Sequence, residues 1–197
     1  MSTISGGFGN GLGYGYQGDG LRMDSFAILY HTLTGVVVDT FRTPNLLYLA
    51  DSANHRIRYF LDEPLVTGRP ADYIVRTLAG SGAVGGPGAY GGDGGAASAA
   101  QLSSPTYLAA TPAGLLVSDS GNHRVRLVTL GGGSAPIITT LAGSGEAGEG
   151  GDGGPAAAAQ LRAPAGLAVE VVGRRGWAAS SRTRATTACA ACCWPAG

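Results

Sequence analysis

The side chains in this sequence with the greatest capacity for chemistry are concentrated in a polar segment that occurs twice. Residues 51–58 read Asp-Ser-Ala-Asn-His-Arg-Ile-Arg, and residues 119–126 read Asp-Ser-Gly-Asn-His-Arg-Val-Arg. Each copy brings together a carboxylate, a hydroxyl, an imidazole and two guanidinium groups. These side chain types are compatible with a metal site, an acid–base pair, an anion site or a purely structural role.

The two histidines of these segments, His55 and His123, occupy the same position of the repeat. A protein zinc site usually takes three converging protein ligands, and the only other histidine in the chain is His31. We therefore predict that both are structural histidines of a tight turn and assign no metal ligand.

The arginines stand two residues apart, as Arg56 with Arg58 and Arg124 with Arg126. On a β-strand this spacing places both guanidinium groups on one face. They could capture a carboxylate or phosphate, or they could pair with the turn aspartate or with a neighbouring unit and fix the stacking. Because the arrangement recurs in each copy, we favour the structural interpretation.

Glycine-rich loops with one central aspartate precede the later units. They read Gly-Asp-Gly-Gly at 92–95 and at 151–154, and Gly-Asp-Gly at 18–20. A phosphate loop would end in Gly-Lys-Ser/Thr, and a calcium loop would carry a ladder of aspartates, but neither pattern is present. We predict that each aspartate closes a turn, and we assign no cofactor.

The composition narrows the possible partners. The 13 basic side chains, all arginines, balance 13 acidic ones, so the formal net charge is +0 and gives no overall field for nucleic acid. No apolar run approaches the roughly 20 residues of a membrane span. The three cysteines, Cys189, Cys192 and Cys193, fall at the carboxyl end, so the body has no disulfide framework.

Short apolar runs flank each polar segment, and together they predict a unit of four antiparallel strands. The first strands are 35–39, 107–110 and 166–170; the second strands end at the turn aspartates; the third run through Arg-x-Arg; the fourth end in Leu-Ala-Gly. Residues 2–6 look like one further fourth strand. Because the strands are almost continuously apolar, we expect both faces to be covered by neighbouring units.

The turn sequence, together with Gly-Asp-Gly-Gly and the upstream Ala-Gln-Leu at 100–102 and 159–161, resembles the NHL repeat, a β-propeller blade. The resemblance covers about residues 2–172. It implies an all-β fold, a β-propeller of four-stranded antiparallel blades that is incomplete, with about two and a half blades where propellers have about four to eight. The first strands end differently, at Asp39, Thr111 and Glu170, so a site built on those carboxylates would not recur in every blade.

Similarity to NHL proteins implies a rigid platform that binds protein, nucleic acid or small molecules. Apart from the repeat residues, the body carries no Ser/His/Asp, Cys/His or paired-carboxylate set, so we predict a non-enzymatic module that binds a protein or a small ligand and assign no catalytic residue. One alternative is a metal-dependent propeller lyase or hydrolase, which would need His31, Asp39 and Glu170 to converge with groups that this chain lacks. A second alternative is RNA binding, which the zero net charge does not favour. The sequence does not identify binding residues or the partner.

The organisation changes after residue 173. We predict a partial propeller over 1–173 and a disordered tail over 174–197, because the turn expected near residue 183 is replaced by Arg-Thr-Arg-Ala-Thr-Thr-Ala-Cys-Ala over 182–190. If these codons are CGG ACT CGG GCA ACC ACC GCG TGC GCC, reading from the third base gives Asp-Ser-Gly-Asn-His-Arg-Val-Arg. A frame change between about 171 and 180 explains the tail, and an incomplete propeller with uncovered faces is expected to self-associate.

Overall fold

The computed structural model describes residues 33–42, 46–61, 75–82, 88–130, 135–171, 177–183 and 189–193. Within these ranges the chain forms β-strands joined by turns and short 3-10 helices. The first sheet has the order β1-β2-β3-β4, the second β5-β6-β7-β8 and the third β11-β10-β9, and all strand pairs are antiparallel. The strands are β1 Leu33–Asp39, β2 Leu46–Asp51, β3 Arg56–Leu61, β4 Val75–Ala79, β5 Pro105–Thr111, β6 Gly114–Asp119, β7 Arg124–Thr129, β8 Ile137–Ala142, β9 Pro164–Val171, β10 Trp177–Thr183 and β11 Cys189–Cys193.

The all-β class and the unit of four antiparallel strands are confirmed in the first two sheets. In each of them the polar segment connects the second strand to the third through a 3-10 helix, Ser52–Asn54 or Ser120–Asn122. The strand predicted at 2–6, the first glycine-rich loop and His31 lie outside the described residues.

The sheets stack in chain order, and apolar side chains fill the space between them. β1 and β2 both contact β5, and β5 and β6 both contact β9. All six residues of β6 are buried, which explains why this strand is continuously apolar before its final Ser-Asp. One apolar cluster joins the first and second sheets and includes Ile57, Leu108 and Val117, and a second, which includes Leu116 and Leu167, joins the second and third.

The third sheet extends into the segment for which the sequence predicts disorder. β10 and β11 lie within 174–197 and pair with β9 and with each other. Strand pairing uses the backbone N–H and C=O groups that every residue except proline carries, so a strand can form without the sequence pattern of the turn. The boundary at residue 173 and the frame change stay predictions.

The register of the third sheet follows that of the other two. Leu33 pairs with Asp51 in the first sheet, Pro105 with Asp119 in the second and Pro164 with Thr183 in the third, each beside a local register shift. Thr183 therefore stands at the backbone position that the turn aspartate occupies in the first two sheets.

Among the described residues, no sheet packs on the outer face of β1 in the first sheet. Val36 on β1 occupies the place that Leu108 has on β5 and Leu167 on β9. Leu108 is 3% and Leu167 8% exposed, since a preceding sheet packs on each, whereas Val36 is 64% exposed. Val38 and Phe41 extend this apolar area, at 51% and 46% exposure.

The polar turn as candidate functional site

The backbone of the polar turn sets where its side chains point. The histidine that ends each 3-10 helix adopts the left-handed conformation, with φ of 53° at His55 and 56° at His123. This brings the histidine carbonyl against the glycine that follows the fourth strand of the same sheet. A Cβ at Gly80 or Gly143 would overlap that carbonyl oxygen, and both glycines have positive φ, 96° and 97°. The Leu-Ala-Gly ending is thus required by close backbone approach.

The turn aspartate is the centre of the local hydrogen-bond network. Asp119 is fully buried, and it accepts hydrogen bonds from the backbone N–H of Ser103 at 2.7 Å and from the Asn122 amide at 2.8 Å. Burial raises the pKa of Asp119 above its usual value, and the hydrogen bonds from Asn122 and Ser103 and the charge of Arg126 act against that increase. Asp51 repeats the contact with Asn54, at 3.0 Å and 3.1 Å.

The second arginine of each Arg-x-Arg pair binds the turn aspartate. The Arg126 guanidinium lies 3.3 Å from a carboxylate oxygen of Asp119, and that of Arg58 lies 3.6 Å from Asp51. These arginines are 0% and 1% exposed, so neither is available for an external anion. The structural interpretation, in which the arginines pair with the turn aspartate or with a neighbouring unit, is confirmed for Arg58 and Arg126, which pair with the turn aspartate.

The first arginine of each pair donates to backbone carbonyls of the segment that leaves the sheet. Arg56 donates to Asn54 at 3.4 Å and to Ser81 at 2.7 Å. Arg124 donates to the equivalent carbonyls, those of Asn122 and Ser144. The first arginine therefore ties the turn to the chain that leads to the next sheet.

The histidines hold the next sheet. The Nδ1 atom of His55 accepts the backbone N–H of Ser104 at 2.9 Å, and that of His123 accepts the N–H of Ala163 at 3.1 Å. Ser104 and Ala163 immediately precede β5 and β9, and both have positive φ, 46° and 43°. The imidazoles thus fix a strained peptide at the start of the following sheet, and the predicted structural role of the histidines is confirmed.

The turn serine completes the junction between sheets. Ser52 Oγ donates to the carbonyl of Pro105, and Ser120 Oγ donates to that of Pro164 at 2.6 Å. Every polar side chain of the motif, from aspartate to the second arginine, therefore contacts its own turn, the segment leaving the sheet, or the first residues of the next sheet. The polar turn therefore joins one sheet to the next.

The aspartate of the second glycine-rich loop does more than close its own turn. Asp93 forms an ion pair with Arg126 at 2.5 Å and accepts hydrogen bonds from the Tyr90 hydroxyl and the backbone N–H of Thr140. Burial acts to raise the pKa of Asp93, but the hydrogen bonds from Thr140 and Tyr90 and the Arg126 charge outweigh it, so the pKa lies below its usual value. The Tyr90 ring lies 3.6 Å from the guanidinium carbon of Arg124.

Sequence reasoning did not identify Arg42, which makes a second junction between the first two sheets. It forms an ion pair with the buried Asp39 at 2.5 Å and donates to the carbonyls of Leu130 at 2.9 Å and Pro112 at 3.3 Å. No local signal marks this role, because Arg42 occurs once and its acceptors lie on the next sheet. Tyr90 was also missed, since the third loop carries Glu149 at that place.

The metal centre of the enzyme alternative has little support in the described part of the chain. Asp39 is engaged by Arg42 and by the backbone N–H of Phe41 at 2.9 Å. His31 lies outside the described residues, and Glu170 is described only by its backbone in β9. Among described side chains, no three of His, Cys, Asp or Glu are grouped as metal ligands require. None of the described helices is long and apolar enough to cross a membrane.

Comparison with known proteins adds no assignment. No protein-family model matches the chain, and no curated protein matches it with significant similarity.

Proposed function

We propose that this chain is part of an NHL-type β-propeller that acts as a non-enzymatic binding module. Support comes from the stacking of successive antiparallel sheets in chain order, with first strands β1, β5 and β9 contacting one another in sequence. The same hydrogen bond between the turn serine and the first residue of the next sheet recurs at both junctions, from Ser52 to Pro105 and from Ser120 to Pro164. Repetition of one sheet and one junction is the principle on which propeller blades are assembled.

The binding role is supported by the contacts that the reactive side chains make inside the fold. The turn histidines and the second arginines are engaged within the fold, with His55 holding Ser104 and Arg126 holding Asp93 and Asp119. A catalytic group must reach a substrate, and these groups are already bonded within the junctions between sheets. On a repeat scaffold of this kind, function lies in side chains that differ between units.

Exposed aromatic side chains outside the polar turn are suited to binding a protein partner. Tyr107 on β5 and Phe41 after β1 are 44% and 46% exposed, and neither has an aromatic equivalent on β9. Aromatic residues are enriched in the contact surfaces of protein complexes. A protein or a small ligand is thus the partner class that these surfaces support.

The experiment compares the chain with a Tyr107→Ser variant as immobilised baits, followed by equilibrium titration of any recovered partner and metal analysis of the same preparation. The proposal expects saturable binding that the substitution weakens, with no stoichiometric metal. Stoichiometric zinc or calcium together with turnover of a small ester or lactone would replace it with the lyase or hydrolase alternative. A salt-dependent shift of RNA in a gel, without a protein partner, would replace it with RNA binding.

A further inference from the structure

The second sheet contains a binding site for a guanidinium group, and its parts are visible because Arg126 fills it. Arg126 donates to the carbonyl of Gly91 and to that of Gln101, each at 3.2 Å, and pairs with Asp93 at 2.5 Å. Two carbonyls and a carboxylate thus surround the planar cation from the glycine-rich loop, while Asp119 binds it from the strand side. This is the donor–acceptor geometry that arginine suits.

The loop before the third sheet has the same fold. The N–H of Gly154 bonds the carbonyl of Gly151 at 3.1 Å, as Gly95 bonds Gly92 at 3.1 Å, and the N–H of Gln160 bonds the carbonyl of Gly150. The two loops also share their positive φ values, 99° and 76° at Gly151 and Gly153 against 83° and 78° at Gly92 and Gly94. The acceptors equivalent to those around Arg126 are therefore in place: the carbonyls of Gly150 and Gln160 and the carboxylate of Asp152.

The strand position that corresponds to Arg126 holds an alanine in the third sheet. Arg126 pairs with Val117, two residues before Asp119. In the third sheet Thr183 takes the place of Asp119, and the residue that pairs two positions earlier, opposite Ser181, is Ala190. Both loop aspartates are exposed, and Asp93 pairs with Arg126 beside its loop.

We propose that the loop 150–160 is a preformed guanidinium site, and that its native occupant is an arginine encoded at the position of Ala190 by the shifted reading frame. The inference does not depend on what the module binds. In the shifted frame each codon joins the third base of one residue to the first two bases of the next. At position 190 the shifted codon consists of the last base of the Cys189 codon followed by the first two bases of the Ala190 codon. It reads CGC, which encodes arginine, when the Cys189 codon is TGC.

The strand register supports this assignment at two other positions. The same rule places the shifted aspartate at Thr183, which pairs with Pro164 as Asp119 pairs with Pro105. Tryptophan has the single codon TGG and every alanine codon begins with GC, so the shifted codon at Ala178 is GGC, glycine, whatever codon Ala178 uses.

That glycine stands where the second sheet has one. Ala178 pairs with Glu170 as Gly114 pairs with Thr111, and Glu170 and Thr111 are equivalent first-strand residues. The backbone register and the codon rule thus give the same alignment.

Sequencing of the gene is the first test. The proposal requires the Cys189 codon to be TGC and the Arg182 codon to end in G, and it requires a missing or extra base upstream of Trp177 relative to independent clones or genomic DNA. A TGT codon at Cys189, or an Arg182 codon with another third base, would overturn it, because position 190 or 183 would not then become arginine or aspartate.

The second test compares Asp152→Asn with Asp93→Asn in two proteins, the chain as given and a chain with the frame restored. In the chain as given, only Asp93→Asn should lower the thermal midpoint, by roughly 2–4 °C. In the restored chain both substitutions should lower it. Replacing the restored arginine by methionine should remove the effect of Asp152→Asn, as a double-mutant cycle requires. An Asp152→Asn variant that leaves the restored chain unchanged would refute the site.

Discussion

At the residue scale, a motif that looks reactive proves to be made of side chains bonded to backbone. His55 accepts the N–H of Ser104, Ser52 donates to the carbonyl of Pro105, and Arg56 donates to that of Ser81. A buried backbone group without a partner costs about 1–3 kcal/mol, and the Ser52 hydroxyl provides the partner for the buried carbonyl of Pro105. The motif is therefore constrained by the fold of its neighbour as well as by its own turn.

The low pKa of Asp93 predicts a defined pH dependence. A carboxylate whose folded pKa lies below the unfolded value of 3.8 contributes stability above that pH, and the contribution is lost as the pH falls through the folded pKa. Because Asp93 is partly exposed, we expect at most about 1 kcal/mol. Urea unfolding between neutral pH and pH 3 should show this loss in the parent and in the exposed control Asp152→Asn, but not in Asp93→Asn. An unchanged slope in Asp93→Asn would contradict the ion pair with Arg126.

Tyr48 gives a prediction of opposite sign. Its hydroxyl is buried and has no hydrogen-bond partner among the described residues, and burial raises its pKa to about 12. Tyr48→Phe removes a polar group that gains nothing from the fold, so stability should rise by about 1 kcal/mol. Chemical denaturation of this variant beside the parent measures the change. A loss of more than about 1 kcal/mol would show that the hydroxyl has a partner.

At the element scale, the strands and turns could be predicted because their signals are local. Apolar runs ending in aspartate fixed β2 and β6, and Leu-Ala-Gly fixed the ends of β4 and β8. The contacts of Arg42 with the second sheet could not be predicted, since the carbonyl acceptors lie 69 to 88 residues away and no repeat marks them. The role of the histidines could be predicted only in part. The turn was recognisable in the sequence, but the peptide N–H that His55 accepts belongs to the next unit.

Glycine at the end of the fourth strand tests the packing of elements. Gly80→Ala would place a methyl group on the His55 carbonyl at a φ of 96° and should cost at least about 2 kcal/mol. Gly94→Ala is the matched control, since its φ is 78° and nothing lies within 4 Å of its added Cβ, so it should cost only about 1 kcal/mol. Equal thermal shifts for the two variants would contradict the close approach of turn and strand.

At the scale of the whole molecule, the described sheets stack so that none of them packs on the apolar face of β1. Val36 holds the position that a preceding sheet covers at Leu108 and Leu167, and Val38 lies on the same face. An exposed apolar area next to strand edges favours association between chains. The zero net charge provides no overall repulsion to oppose it.

We therefore expect the purified 197-residue chain to sediment as oligomers or aggregates whose proportion rises with concentration. Replacing Val36 and Val38 by threonine keeps the β-branched shape and reduces the apolar surface, so this variant should shift toward monomer. The control Arg76→Ala, at an exposed position of β4, should behave as the parent does. A compact monomeric parent that unfolds cooperatively would show that the face is not an association surface.

The central claim is that the polar turn joins each sheet to the next. Its most direct test is hydrogen exchange measured along the chain in a Ser52→Ala, His55→Ala variant. The account predicts faster exchange across the junction, in the segment 97–104 and in β5 of the second sheet, with the Arg76→Ala control unchanged. Loss of protection confined to the hairpin 46–61 would contradict it, because the turn would then stabilise only its own sheet.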